Sequence, residues 1–282
     1  MAVKGLSDQG GGYISDLAQC VKYAADKGAQ VSSNSWGMQS DIPDPVFQDA
    51  FDYANAPDST RPGNNKQGCV AVVAAGNSNM NFAFFSPANL AGVISVAAID
   101  YTDTKAIFSN WGKVDVAAPG VEILSLRAAG TDMYLRSNGY VAGAMFVPPF
   151  DVNAQYYRAS GTSMACPHAA GAAALLLSVH PEYEPQDVRL VLKSTVREVP
   201  ALMSYFTPGF GVINVEAALQ GTSNPLLRLR NCQFIDAGNR NGEFEPGENV
   251  NLVVELKALN QDASGVSVEL RSTDPYVNIL KG

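Results

Sequence analysis

Up to about residue 220, short apolar runs alternate with stretches in which apolar residues recur at helical spacing. CVAVVAAG, GVISVAAI and KVDVAAPG are near-continuous apolar runs, the pattern of strands buried on both faces of a parallel sheet. AQVSSNSWG predicts another strand. DLAQCVKYAADK predicts a helix capped by Ser15 and stopped by Gly28, with Leu17, Val21, Ala24 and Ala25 on one face. PVFQDAFDYANA predicts a second helix with Val46, Phe47, Ala50 and Phe51 as its apolar stripe. GTSMACPHAAGAAALLLSVH predicts a small-residue helix buried all round, and Pro185 opens a last one, QDVRLVLKSTV. This alternation predicts an α/β fold, a parallel sheet with helices on both faces.

Residues 127–157, with Gly139, Gly143, Pro148, Pro149 and several aromatics, break the pattern and predict a surface insertion. After residue 222 the period changes to two, in strands separated by turn clusters such as GNRNGE and NQDASG. A complete immunoglobulin-like sandwich takes about 100 residues, so a partial all-β sandwich is expected there. The expected domains are 1–222 and 223–282, joined by the turn-rich Gly221-Thr222-Ser223-Asn224-Pro225.

Composition narrows the function. The chain of 282 residues is 46% hydrophobic and 16% charged, enough for a packed core. A net charge of −8 without a Lys/Arg cluster argues against nucleic-acid binding. Cys20, Cys69, Cys166 and Cys232 are too scattered for a disulfide framework or a zinc site, though a Cys20–Cys69 bridge stays open. No apolar run is expected to span a membrane, and MAVKGLSDQGGG has no signal-peptide core. The oligomeric state is left open.

Candidate chemistry centres on Gly161-Thr162-Ser163-Met164-Ala165-Cys166-Pro167-His168-Ala169-Ala170-Gly171. Ser163 would start a helix, where unpaired amides and the helix dipole favour developing negative charge. Pro167 is expected to be tolerated as part of the first turn. Met164 would present an oxidisable thioether beside the serine, or simply fill the core. The eleven residues resemble the active-site serine signature of the subtilases, a family of serine proteases. Four further segments resemble that family in the same order: Gly10-Gly11-Gly12 after AVKGL, VSSNSWG at 31–37, Val73-Ala74-Ala75-Gly76-Asn77, and Phe108-Ser109-Asn110-Trp111-Gly112 followed by VDVAAPG.

The resemblance implies a subtilisin-like fold and a serine endopeptidase that hydrolyses peptide bonds through a Ser163 acyl-enzyme. It assigns Asn77 as oxyanion donor. It makes Gly10, Gly11 and Gly12 and Ser35, Trp36 and Gly37 the two backbone segments that clamp an extended polypeptide substrate. No organic cofactor is implied; structural calcium is common in the family, with no ligands assignable here. An extracellular location is implied by family alone. The aromatic loop after Asn77 places Phe84 or Phe85 where the specificity pocket would lie.

The pattern breaks at the base. The sequence holds two histidines, His168 and His180. His168 lies five residues beyond Ser163, about 500° round the same helix, and His180 about 25 Å along it. Neither is expected to receive the Ser163 proton. The family's Asp-Ser/Thr-Gly and His-Gly-Thr-His segments have no counterpart, so about the first quarter of the catalytic domain is expected to be missing and the chain inactive alone. Ile235-Asp236-Ala237-Gly238 mimics the aspartate motif only superficially. Asn239, Asn241, Gly242 and Glu248 fit a calcium-loop count, but Ala237 stands at its first position, which favours a polar turn. An α/β-hydrolase esterase is disfavoured, because it needs G-x-S-x-G and a downstream histidine. A non-catalytic peptide-binding or adhesive protein on a decayed protease scaffold stays open.

Overall fold

The structure, a computed structural model, describes residues 1–7, 10–63, 65–126, 156–206, 210–221, 224–238, 247–269 and 279. All but the last two residues of the expected insertion, residues 222–223 of the expected linker, and Asn239, Asn241 and Gly242 lie outside these. In chain order the elements are α1 (Ile14–Asp26), β1 (Val31–Asn34), β2 (Met38–Gln39), α2 (Pro45–Asn55), β3 (Val70–Ala74), β4 (Phe85–Ser86), β5 (Ile94–Ile99), β6 (Val116–Pro119), β7 (Ile123–Leu126), β8 (Tyr156–Ala159), α3 (Thr162–Val179), α4 (Pro185–Ser194), α5 (Val215–Gln220), β9 (Leu226–Asp236) and β10 (Val250–Leu259). The chain divides into two units, Met1–Gly221 and Thr222–Gly282.

The first unit is built on a parallel sheet of order β1-β3-β5-β6, with Val31 opposite Val70, Val72 opposite Ile94 and Val96 opposite Val116. Every residue of β3 and β5 is buried, as a sheet covered on both faces requires. On one face, Ala71 and Val73 join a core with Leu17 and Val21 of α1 and Phe47 and Phe51 of α2. α3 packs against β1, β3, β5 and β6, and its Cys166 thiol reaches Val72 O at 3.5 Å. β2 with β4 and β7 with β8 add two short antiparallel pairs.

Local chemistry explains where the helices begin, and it corrects three expectations. Tyr13, not Ser15, is the residue before α1; Ser15 sits inside the first turn, with its hydroxyl 3.4 Å from the Asp16 carboxylate. In α2 the Asp44 carboxylate caps the Phe47 N–H at 3.0 Å and Pro45 takes the first helical position, where no N–H is missed. Val46 is 47% exposed; the buried stripe is Phe47, Ala50, Phe51 and Ala54. The third correction concerns α3, which is buried along one side only: Ala165, Cys166, Ala169, Ala173 and Leu176 face the core, while Leu175 and Val179 are half exposed. Its 18 residues, at a mean hydropathy of 1.3, are long and apolar enough to cross a membrane, contrary to the reading from the sequence. Half of that stretch is buried inside the protein and it lies on the sheet, which makes it a core helix.

The second unit is a two-stranded antiparallel hairpin of β9 and β10 with a register shift at Glu255/Leu256. Leu229, Phe234 and Val253 are exposed on it. Such a hairpin is marginal alone in water, and the further strands of a sandwich are not seen among the described residues. All four cysteines are free thiols, so Cys20 and Cys69 are not bridged. Burial pushes the Cys69 thiol up to about 11 and raises that of Cys166 as well.

One ionic cluster ties α4 to the sheet. Asp115 is 2% exposed and accepts from the Ser95 amide (3.0 Å) and hydroxyl (3.2 Å), from Arg189 (2.8 Å) and from Lys193 (2.7 Å). Asp115→Ala strands two cations and a buried hydroxyl. It is expected to cost about 3 kcal/mol, the low end for a buried pair because the cations are about a third exposed. Breaking the exposed Arg197–Asp103 pair should cost under about 1 kcal/mol. Urea denaturation of the two variants measures both; equal losses would contradict the assignment.

Candidate active site

Strands β1, β3, β5 and β6 point their carboxyl ends to one edge of the sheet, the edge at which open α/β sheets build their sites. Ser163 arrives there as the second residue of α3. The Gly161 N–H donates to Gly120 O at 2.8 Å, tying the helix start to the end of β6. The Ser163 N–H has no acceptor within the helix, because the first four amides of any α-helix lack one. It therefore remains available to a ligand at a point where the helix dipole favours negative charge.

Pro167 leaves a second mark on the site. It lies in the second turn rather than the first, and its missing N–H orphans the carbonyl four residues back, that of Ser163. The Ser35 hydroxyl fills that vacancy, donating to Ser163 O at 2.9 Å. In return Ser163 Oγ donates to Ser35 O at 3.3 Å. Ser35, the residue after β1, and Ser163 are thus joined by two reciprocal hydrogen bonds.

Asn77 follows β3 on the same edge. Its Oδ1 accepts from both the Thr162 N–H (2.8 Å) and the Thr162 hydroxyl (2.9 Å). Thr162 Oγ1 in turn accepts from the Gly76 N–H at 3.2 Å. These bonds consume the amide oxygen and fix which way the side chain points, so Nδ2 is the end left to donate. It lies against Gly161, where a Cβ would sit 3.5 Å from it. Ser163 and Asn77 are therefore brought together through Thr162.

The other expected site residues are placed as follows. Ser35 is beside the nucleophile, as above. The Trp36 ring packs on Phe47 (5.1 Å) and Phe51 (6.2 Å), so its side chain belongs to the α2 core and only its backbone remains to meet a ligand. Gly37 is exposed, but a Cβ there would meet Phe85 at 2.4 Å and Ser86 O at 2.7 Å. The Ser7 N–H donates to Gly11 O (2.8 Å) and the Gly10 N–H to Ser7 O (2.9 Å); Gly10 has φ +79° and Gly11 is open on its Cβ side. His168 Nδ1 bonds Met164 O at 2.8 Å on the exposed side of α3. His180 ends the helix stacked on Tyr183 and bonded to Glu182. Neither histidine is a partner of Ser163. Among the described residues no three His, Cys, Asp or Glu side chains converge as a metal site would require.

Two contributions are invisible to the motif. Thr162 is inside the signature, but nothing in the sequence says that its hydroxyl orients Asn77. The bond from Ser35 to Ser163 O follows from Pro167 only once the helix register is known.

Comparison with known proteins agrees with this geometry. The profile of the subtilase family matches residues 1–215. Fervidolysin of Fervidobacterium pennivorans is 36% identical over 75% of this chain and 29% of its own length. The thermophilic serine proteinase of Bacillus sp. strain AK1 is 35% identical over 74% of this chain and 43% of its own. Among solved structures, a protease of Pseudoalteromonas arctica superposes with a TM-score of 0.58 at 29% identity, covering 74% of this chain and 59% of that one. The chain thus spans less than half the length of these two relatives. With the nucleophile signature, the strand order and the family profile in agreement, the chain belongs to the subtilase family.

Proposed function

We propose that this chain carries the nucleophile and oxyanion site of a subtilisin-type serine endopeptidase, and that the base and its orienting carboxylate come from residues outside this sequence. The observation that supports this best is the pairing of Ser163, with its free helix-terminal N–H, and an Asn77 amide held donor-outward by Thr162. In the reaction, Ser163 Oγ attacks the peptide carbonyl and its proton passes to the base. The carbonyl oxygen becomes an oxyanion between the Ser163 N–H and Asn77 Nδ2. Collapse expels the amine, and water then releases the acyl group from Ser163.

The groups proposed to come from outside this sequence would sit beside β1. The edge of β1 that is unpaired among the described residues faces a cavity of about 470 Å³ lined by Met1, Val3, Leu6, Val31, Asn34 and Trp36. Its Asn34–Trp36 end flanks Ser35, the residue bonded to Ser163. The substrate is an extended polypeptide laid against residues 10–12 and 35–37. Export is proposed on the strength of relatives such as the extracellular protease of Xanthomonas campestris pv. campestris, 39% identical over 160 residues.

Without its base Ser163 is an ordinary alcohol. Loss of the histidine costs about 10⁶ in turnover, a figure measured on subtilisin itself. A fluorophosphonate probe, which reports activated serines, should leave this chain unlabelled at neutral pH. Appending the aspartate- and histidine-bearing segment of a relative should switch labelling on, and Ser163→Ala should abolish it. Stoichiometric labelling of the chain alone would overturn the proposal.

Substrate preference should follow from Phe85. Its ring is in close contact with both Gly37 and Gly76, between the substrate strand and the Asn77 loop, whereas Phe84 is 45% exposed. If this ring forms the floor of the specificity pocket, the completed enzyme should favour small residues before the cleaved bond, by a graded margin of about 1–3 kcal/mol per methylene of misfit. Peptide-library profiling that ranked Phe or Tyr first at that position would contradict this.

A further inference from the structure

We infer that Asn110 is a positioning residue for the Asn77 amide, an inference that rests on the reading of Asn77 as oxyanion donor. Asn110 is fully buried at 0% exposure, and it grips the loop on both sides of Asn77. Before Asn77, its Nδ2 donates to Ala75 O at 2.8 Å and its backbone N–H to Gly76 O at 3.0 Å. After Asn77, its Oδ1 accepts from the Ser78 N–H at 3.0 Å and the Met80 N–H at 3.1 Å. One side chain therefore satisfies three backbone groups of a six-residue loop and leaves residue 77 alone to project. The fit is close: Gly76 has φ +102°, and a Cβ on it would lie 2.3 Å from Asn110 Nδ2, so the loop can approach Asn110 this nearly only with glycine there.

The segment carrying Asn110 is itself anchored. The Lys105 ammonium donates to Asn79 Oδ1 (3.0 Å), Ala106 O (3.0 Å) and Ser109 O (2.9 Å), with the Tyr205 ring 5.4 Å away. Burial pulls its pKa below the ordinary lysine range. The Ser109 hydroxyl donates to Asn110 O and accepts from the Ala98 N–H of β5, both at 3.0 Å. The Asn79 N–H donates to Phe108 O at 2.8 Å, and Trp111 Nε1 donates to Asn79 O at 3.2 Å. Sheet, Asn110 and loop form one continuous hydrogen-bonded support, and Asn77 touches Thr162 at its end.

The test separates positioning from general stability through the Thr162 N–H. That amide belongs to α3 and is bonded to Asn77 Oδ1 rather than to Asn110. Hydrogen exchange is followed by NMR in this chain, in Asn110→Ala and in the milder Asn110→Ser. Exchange at Ser78 and Met80 should accelerate in both, because their acceptor is gone. The inference expects exchange at Thr162 to accelerate as well, by tenfold or more, while Ala172 and Ala173 of α3 stay unchanged. Opening of Ser78 and Met80 with Thr162 still protected would overturn it, as would uniform acceleration throughout α3. A second readout is Ser163-dependent cleavage of an activated peptide ester, taken as the rate lost in Ser163→Ala. Asn110→Ala should lower it about as far as Asn77→Ala does, roughly 10²-fold, with no further loss in the double variant. If Asn77→Ala leaves this rate unchanged, the oxyanion reading fails, while the exchange measurement still decides the positioning claim.

Discussion

The hydrogen bonds from Thr162 to the Asn77 side-chain oxygen are the constraint on which the site depends. They join the end of β3 to the start of α3 across 85 residues of sequence, and they decide which end of the Asn77 amide faces a ligand. A free asparagine would rotate and hydrate; here both donors of Thr162 claim the oxygen and leave only nitrogen. Each bond is worth about 1 kcal/mol in stability. On the proposed oxyanion reading their larger effect is on chemistry, since a preorganised donor costs no reorganisation when charge develops.

The rest of the fold serves that junction. A sheet buried on both faces gives β3 and β5 no freedom, so the loop after β3 starts from a fixed point. α3 is built of small residues and lies flat across the sheet, which places its N-terminal amides at the carboxyl edge. Pro167 removes one helical bond, and Ser35 replaces it from a different element, so that the Ser163 backbone is held from outside the helix as well as within it. The proposed oxyanion donors thus lie in a chain whose two histidines both have other partners.

Much of this was legible in the sequence. The unbroken apolar runs specify doubly covered strands, and the eleven-residue signature specifies a serine at a helix start. What failed did so for local reasons. Ser15 reads as a cap, but the helix begins two residues earlier than that cap implies, at Ile14, and has no side-chain cap. Val46 is apolar yet sits on the outer side of α2, since Pro45 and Asp44 set the register and the buried stripe begins at Phe47. α3 seemed buried all round because alanine, glycine and leucine do not reveal which side of a helix faces solvent. The period-two pattern after residue 222 correctly marks strands, but alternation alone does not say how many pair. Asn110 and Thr162 carried no signal beyond their motifs, because their roles lie in contacts between segments far apart in the chain.

The proposed oxyanion site surrounds Ser163, and the proposed base comes from outside this sequence. The most direct measurement is the pH dependence of Ser163-dependent ester cleavage by the chain itself. Attack by an unassisted alcohol requires its alkoxide, so the rate should climb tenfold per pH unit from pH 6 to pH 9 without levelling off, about as far as hydroxide concentration does. A plateau above an apparent pKa near about 6.5, the ordinary range of histidine, would reveal a working base and contradict the account.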